Sequence, residues 1–336
     1  MGYIVELKRW LTESEIRKFS TQDVFISKVL PIIIISNISK ELEQADFVKN
    51  IREEATGELQ SFDFIPCVNE KILKSKCMIG WGINVAVIDS GVKKSEVNNV
   101  VKEIDCFNIG KVNAEDLFGH GTVVAATINK CAPKANITNI KITETQQFAE
   151  GNVIKALEEV YFDDNINIVN MSLSIGRMVE CDGTCEICQF VHLLTRQGKI
   201  VVTSAGNSGP AIGTINCPGG AEEAITVGAI DGNNNIAKFS SRGRIDQGKP
   251  NILTSGYNNY RDNRFTSGTS FSAPIITGVC ACIFDRCNRD INRLKDMLYS
   301  GVTPINACPH EQGHGVLNIK KLLEVLDNEK IHSESL

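Results

Sequence analysis

A doubly wound α/β fold, with a mostly parallel sheet, helices on both faces and a small α+β unit in front, is the class predicted by the 336-residue sequence. Three observations predict it. From Ile83 onward, short continuously apolar runs alternate with stretches of helical periodicity, as parallel strands buried on both faces and covered by crossover helices require. Within that region Ser270–Phe284 is apolar on nearly every side, which calls for a central, buried helix. The first 64 residues instead show the order β-α-β-β-α-β in short elements, a small α+β sandwich.

The elements follow in order. Tyr3 to Lys8 alternates as a strand. Thr12 to Phe19 opens with Thr-Glu-Ser-Glu, a capping hydroxyl followed by early acids, and is predicted helical. Val24 to Lys28 and Ile32 to Ser36 are β-rich runs separated by Pro31. Ser39 to Lys49 is predicted as a second helix, with Ser39 as its N-cap and Leu42, Ala45 and Phe47 among its apolar positions; a last strand follows near Ile51. Residues 65–78 are expected to be a linker, residues 79–326 the main domain and residues 327–336 a polar tail. In the main domain, strands are predicted at Val85–Ile88, Asn136–Ile142, Ile166–Met171, Ile200–Ser204 and Ile225–Ala229. Helices are predicted at Gly121–Asn129, Asn152–Tyr161 and Thr184–Gln197. In open sheets of this kind, sites gather at the carboxyl ends of the strands.

Composition removes several function classes. Lys and Arg number 35 against 40 Asp and Glu, so the basic excess of a nucleic-acid footprint is missing. The longest apolar run, Val29 to Ile35, is too short to span a bilayer. No apolar core of a signal peptide appears in the first twenty residues, so a cytoplasmic location is expected. On that expectation most of the twelve cysteines are reduced core thiols.

Four short stretches carry chemistry. Val85-Ala86-Val87-Ile88-Asp89-Ser90-Gly91 is a buried strand closed by an acid, Gly119-His120-Gly121-Thr122 leads into an apolar helix, and Ser267-Gly268-Thr269-Ser270-Phe271-Ser272-Ala273-Pro274 starts the central helix. Singly, these are a turn acid, a loop histidine and an N-cap. Together they supply a carboxylate, an imidazole and a hydroxyl, each at the end of a buried element. Serine needs a base to become a nucleophile, and that base needs an acid to fix its tautomer. A serine at a helix N-terminus also lies where backbone N–H groups favour developing negative charge. The fourth stretch, Ser204-Ala205-Gly206-Asn207-Ser208-Gly209, is either a plain turn or a place for the Asn207 amide to act as an oxyanion donor.

On these motifs, from about Gly80 to Leu326, the chain resembles the subtilisin-like serine proteases, the subtilases of peptidase family S8. The order Asp89, His120, Ser270 is that family's. The resemblance implies that Ser270 attacks the scissile carbonyl, His120 shuttles the proton, Asp89 orients His120, and Asn207 with the Ser270 backbone N–H holds the oxyanion. It also implies that Ser172, Leu173 and Ser174 pair with an extended peptide as an added strand, with Ala205 and Gly206 as the opposite pocket wall. Ser174 stands where the family usually has glycine. No organic cofactor and no catalytic metal are implied. The inserted loop that helps hold a tight calcium ion in secreted subtilisins is missing after His120, so none is expected there. The small N-terminal unit resembles the family's propeptide in element order. That implies a chaperone and inhibitor, with a cut expected between about Ser61 and Lys76.

Cys181, Cys185, Cys188 and Cys217 form the densest thiol group. They could hold zinc, form two disulfides or stay reduced. With no second Cys-x₂-Cys pair, the spacing favours reduced or partly paired thiols. The expected activity is serine endopeptidase action on extended peptide or unfolded protein segments. Narrow processing of a precursor peptide, ligation or macrocyclisation on the same frame, and a silent peptide-binding module are the alternatives.

Overall fold

The computed structural model describes residues 2–19, 24–59, 70–108, 113–176, 183–259 and 265–333. The N-terminal unit runs β1 (Tyr3–Leu7), α1 (Glu13–Phe19), β2 (Val24–Ile26), β3 (Ile32–Ile35), α2 (Lys40–Glu43), β4 (Val48–Glu53). Its four strands form an antiparallel sheet in the order β2-β3-β1-β4. Thr12 and Glu15 make reciprocal capping hydrogen bonds at the start of α1. The helix predicted from Ser39 to Lys49 is a single turn, α2, capped by the Ser39 hydroxyl, and from Val48 the chain is strand instead. Leu42 and Phe47, read as apolar positions of one helix, reach the same small core with Val5, Leu7 and Ile33 from α2 and from the turn that leads into β4.

The run Ile32-Ile33-Ile34 is apolar at consecutive positions because the sheet is buried on both faces. Ile33 and Val5 face the unit's own core, while Ile4, Ile32 and Ile34 pack into the core of the main domain. After β4 the chain leaves this sheet as β5 (Thr56–Leu59). Of the stretch read as a linker, Glu70–Ser75 is helical (α3).

The main domain continues with β6 (Asn84–Asp89), β7 (Val100–Asp105), α4 (His120–Cys131), β8 (Asn136–Lys141), β9 (Gln147–Ala149) and α5 (Glu150–Phe162). Then come β10 (Ile168–Met171), β11 (Leu173–Ile175), α6 (Glu186–Arg196), β12 (Ile200–Ser204), β13 (Ile225–Ile230), β14 (Ile252–Ser255), β15 (Tyr257–Asn259) and β16 (Phe265–Ser267). The chain closes with α7 (Thr269–Ile283), α8 (Ile291–Ser300), β17 (Val302–Thr303), α9 (Pro309–Gln312), β18 (Val316–Leu317) and α10 (Ile319–Ser333). The stretch from Asp327 that was expected to be a tail is helical as far as Ser333.

Nine strands make one sheet, ordered β17-β18-β14-β13-β12-β10-β6-β8-β7, parallel throughout except for the β17–β18 pair. Along β6, Val85 and Val87 enter the core under α4, α7, α8 and α10, whereas Ala86 and Ile88 enter the opposite core under α5 and α6. That two-sided burial is why the strand reads as an unbroken apolar run. The segment Thr269–Cys287 is long and apolar enough to cross a membrane, yet 89% of it is buried against the sheet and its helices.

Candidate active site

Asp89 is the last residue of β6, His120 the first of α4 and Ser270 the second of α7. Each sits where a buried element ends, and all three are fully buried. The His120 Nδ1 atom lies 2.7 Å from Asp89 Oδ1. A carboxylate only accepts, so Nδ1 carries the proton and Nε2 presents its lone pair as a base. Asp89 Oδ1 also accepts from the Ser90 N–H at 2.8 Å, which holds the carboxylate plane.

The close approach of α4 to β6 depends on Gly121. A methyl group there would fall 2.2 Å from the Gly91 carbonyl and 3.0 Å from Asp89 Cβ. Any side chain would therefore drive the imidazole away from its acid.

The Ser270 hydroxyl donates to the Ser172 carbonyl at 3.0 Å, and the Ser172 hydroxyl returns a bond to the Ser270 carbonyl at 2.9 Å. Behind them the Asn170 amide donates to Ser172 Oγ, and Thr277 Oγ1 donates to Asn170 Oδ1. This buried chain ties α7 to the strand that carries Ser172, Leu173 and Ser174. The His120 ring lies 6.0 Å from that of Phe271, the neighbour of Ser270.

Asn207 is oriented by Thr269. Asn207 Oδ1 accepts from the Thr269 N–H at 3.0 Å and from the Thr269 hydroxyl at 2.9 Å. Thr269 Oγ1 in turn accepts from the Gly206 N–H at 3.1 Å. With its oxygen held by two donors, the amide must present its NH₂ group on the other side, toward Gly268. In the first turn of α7 the Thr269 N–H is taken by Asn207 Oδ1 and the Phe271 N–H by the Gly268 carbonyl, so the Ser270 N–H and the Asn207 NH₂ group are the donors offered to one anion. The two expected pocket walls do face each other. Gly206 has φ +99°, and a Cβ on it would sit 3.4 Å from Ser174 Oγ and 3.0 Å from Ser241 Oγ. Ala205 is buried beside it, its N–H on the Val227 carbonyl.

Sequence reasoning passed over Asp116 and Thr269. The buried Asp116 carboxylate accepts from the Ser90 hydroxyl, the Phe118 and Gly119 N–H groups, and the Thr122 N–H and hydroxyl, at 2.6–3.1 Å. It thereby locks the loop before His120 onto the residue after Asp89. Its sequence signal was an acid four positions ahead of the histidine. Replacing Thr269 by valine, nearly isosteric, removes the hydroxyl bridge between Gly206 and Asn207. We expect kcat to fall about tenfold, the equivalent of one neutral hydrogen bond. In a double-mutant cycle with Asn207→Ala the two losses should not add.

Strand β5 of the N-terminal region lies against the same site. It pairs antiparallel with β11, Leu59 opposite Leu173 and Glu58 opposite Ser174, and on its other edge with β9. Arg52 Nη1 donates to Glu150 at 2.9 Å and Nη2 to Glu186 at 2.6 Å, the first residues of α5 and α6. Burial alone would lower the Arg52 pKa, but the hydrogen bonds and charge of the two carboxylates raise it above the ordinary arginine value. Glu54 accepts from the Gly151 N–H at the start of α5, and Glu158 accepts from the Ser27 hydroxyl and the Lys28 N–H. Of the 61–76 stretch expected to be cut, residues 61–69 lie outside the described residues, which resume at Glu70.

A family model described as Peptidase_S8, Subtilase family, matches residues 80–315. Serine protease AprX of Bacillus subtilis (strain 168) is 31% identical over 304 residues, covering 74% of this chain and 68% of that protein. Subtilisin DY of Bacillus licheniformis is 28% identical over 271 residues, covering 76% of this chain and 96% of that protein. The human membrane-bound transcription factor site-1 protease is 28% identical over 283 residues, which span 75% of this chain and 26% of that much longer protein.

Proposed function

Because the chain belongs to the subtilase family of serine proteases, we propose that it is a serine endopeptidase whose catalytic residues are Asp89, His120, Ser270 and Asn207. The observation that carries this reading is the 2.7 Å Asp89–His120 hydrogen bond, fully buried, with Ser270 at the N-terminus of α7 next to Phe271, whose ring lies 6.0 Å from that of His120. In the proposed reaction the Ser270 hydroxyl turns from the Ser172 carbonyl to His120 Nε2. It gives its proton to the imidazole as Oγ bonds to the scissile carbonyl carbon. The carbonyl electron pair moves to oxygen, where the Asn207 amide and the Ser270 N–H stabilise it. Imidazolium, held by Asp89, then protonates the departing amine. Water repeats the sequence in reverse to release the acid.

Substrate enters as an added strand on β11, with Ser172, Leu173 and Ser174 supplying main-chain partners and Ala205 and Gly206 the opposite wall. The hydroxyls of Ser174 and Ser241 make that wall polar. In the uncut chain β5 takes the position of such a strand, so on this reading the N-terminal region acts as the enzyme's own inhibitor.

Labelling with a fluorophosphonate probe, followed by peptide mapping to Ser270, tests the assignment; a chain that takes no label after its N-terminal region is removed would overturn it. Asn207→Ala should lower kcat by roughly 10²–10³-fold with KM nearly unchanged, since the amide acts on charge that exists only in the transition state. A change confined to KM would assign Asn207 to binding instead.

A further inference from the structure

Three cysteines meet beside the substrate-pairing strand. Cys185 precedes the first residue of α6, Cys188 lies in its first turn, and Cys217 sits in the loop between β12 and β13. Their sulfurs are 3.5 Å (185–188), 3.4 Å (185–217) and 3.9 Å (188–217) apart. A disulfide would bring two sulfurs to about 2.05 Å. Thiolates bound at about 2.3 Å to a tetrahedral zinc ion lie about 3.8 Å from one another. The observed triangle has the second dimension. Cys181, the other thiol of this group in the sequence, lies outside the described residues.

A separate observation points to the same chemistry. Lys249 is buried, and its ammonium donates to four neutral acceptors: the Glu222 and Ala224 carbonyls, Thr226 Oγ1 and Asn251 Oδ1. A buried cation is costly; the carboxylates of Glu223 and Glu222 lie near enough to act on it, and Cys188 lies within the same range. Lys249 and Cys188 line one cavity of about 800 Å³, whose wall also includes the exposed His192 and so offers a path for an ion.

We propose that Cys185, Cys188 and Cys217 bind a structural zinc ion as thiolates. Each S–H releases its proton to solvent and gives a sulfur lone pair to Zn²⁺. The thiolates bring negative charge to the centre, and Lys249 lies on the wall of the cavity that Cys188 also lines. The ion joins three parts of the site. Ile175 of β11 donates its N–H to the Cys217 carbonyl at 2.8 Å, so Cys217 anchors the end of the substrate-pairing strand. Cys185 and Cys188 fix the turn of α6 that carries Glu186, the partner of Arg52. Zinc therefore holds the strand and the docking surface for the N-terminal region in one frame. This inference stands whether or not the chain is a protease.

The test uses the full chain, purified under reducing, oxygen-free conditions. The expected zinc content is one ion per chain. Cobalt(II) put in its place should show thiolate-to-metal charge transfer and the intense visible bands of a tetrahedral site, with three or more thiolates per metal. Cys188→Ser and Cys217→Ser should each weaken zinc binding at least about tenfold. The exposed Cys77→Ser should not. Removing the metal by chelation should lower the melting temperature by several degrees. The wild-type cobalt spectrum is decisive even where a serine variant fails to fold. Wild-type chain without zinc and without cobalt–thiolate bands would overturn the site, as would a metal count unchanged in folded Cys188→Ser and Cys217→Ser.

Discussion

Ser270→Ala is expected to lower kcat by about 10⁶-fold, the loss that removal of the triad serine causes in subtilisin. The reason is local. Alanine keeps the backbone N–H at the α7 terminus and the Thr269–Asn207 pair, so the oxyanion donors survive while the nucleophile and the proton His120 would take are gone. The fold should tolerate the change, because Ser270 Oγ gives up one hydrogen bond, to the Ser172 carbonyl, worth about 1 kcal/mol. His120→Ala should cost nearly as much, and the double variant little more, because the two residues act as one unit. Hydrolysis of an unfolded protein, measured alongside melting temperature, checks this. Full turnover in a folded Ser270→Ala chain would remove the catalytic assignment. If the chain cuts itself, the variant should also stay at its full 336 residues, and the wild type should show by mass spectrometry a new terminus between about Ser61 and Lys76.

The second large effect concerns Arg52. Its guanidinium holds two carboxylates that are 0% and 7% exposed, each leading a helix of the main domain. Arg52→Ala leaves both acids buried beneath the N-terminal unit with their shared cation gone. Breaking a buried ion pair in this way costs about 3–5 kcal/mol, which is roughly a 10²–10⁴-fold weaker inhibition by a polypeptide of residues 1–69 added to the cut enzyme. Arg52→Lys should fall between, since a single ammonium cannot grip both carboxylates as the planar fork does. The activity of the cut enzyme alone should not change, because Arg52 is no longer part of it. An inhibition constant unaffected by Arg52→Ala would detach inhibition from this contact.

Several features were legible from local pattern. The strand Val85–Ile88 could be read because every position on it is buried, on one face or the other. The central helix from Ser270 could be read because no side of it meets water. The catalytic candidates could be read because acid, imidazole and hydroxyl each close or open such an element. What was misread had half-exposed or borrowed structure. Edge strand β7 was passed over: it carries Val101 at 62% exposure and continues through Lys102 and Glu103, so its apolar signal is thin. Leu42 and Phe47 were read as positions of one helix, but only one turn forms, and Phe47 lies in the turn that leads into β4. Thr56-Gly57-Glu58-Leu59 has almost no strand propensity; β11 and β9 make it a strand by supplying its partners.

The sequence by itself determined the fold class, the family and the candidates for the reacting groups. Those rest on short-range pattern: two-sided apolar runs, caps, and motifs whose residues stand side by side. Tertiary structure alone decided which way the Asn207 amide points, where β5 lies, that Arg52 meets acids 98 and 134 positions away, and that three sulfurs come within 3.9 Å of one another. Such contacts join elements through space, and no periodicity along the chain encodes them. They exist only once the sheet has brought its strands into register and set the helix ends above it.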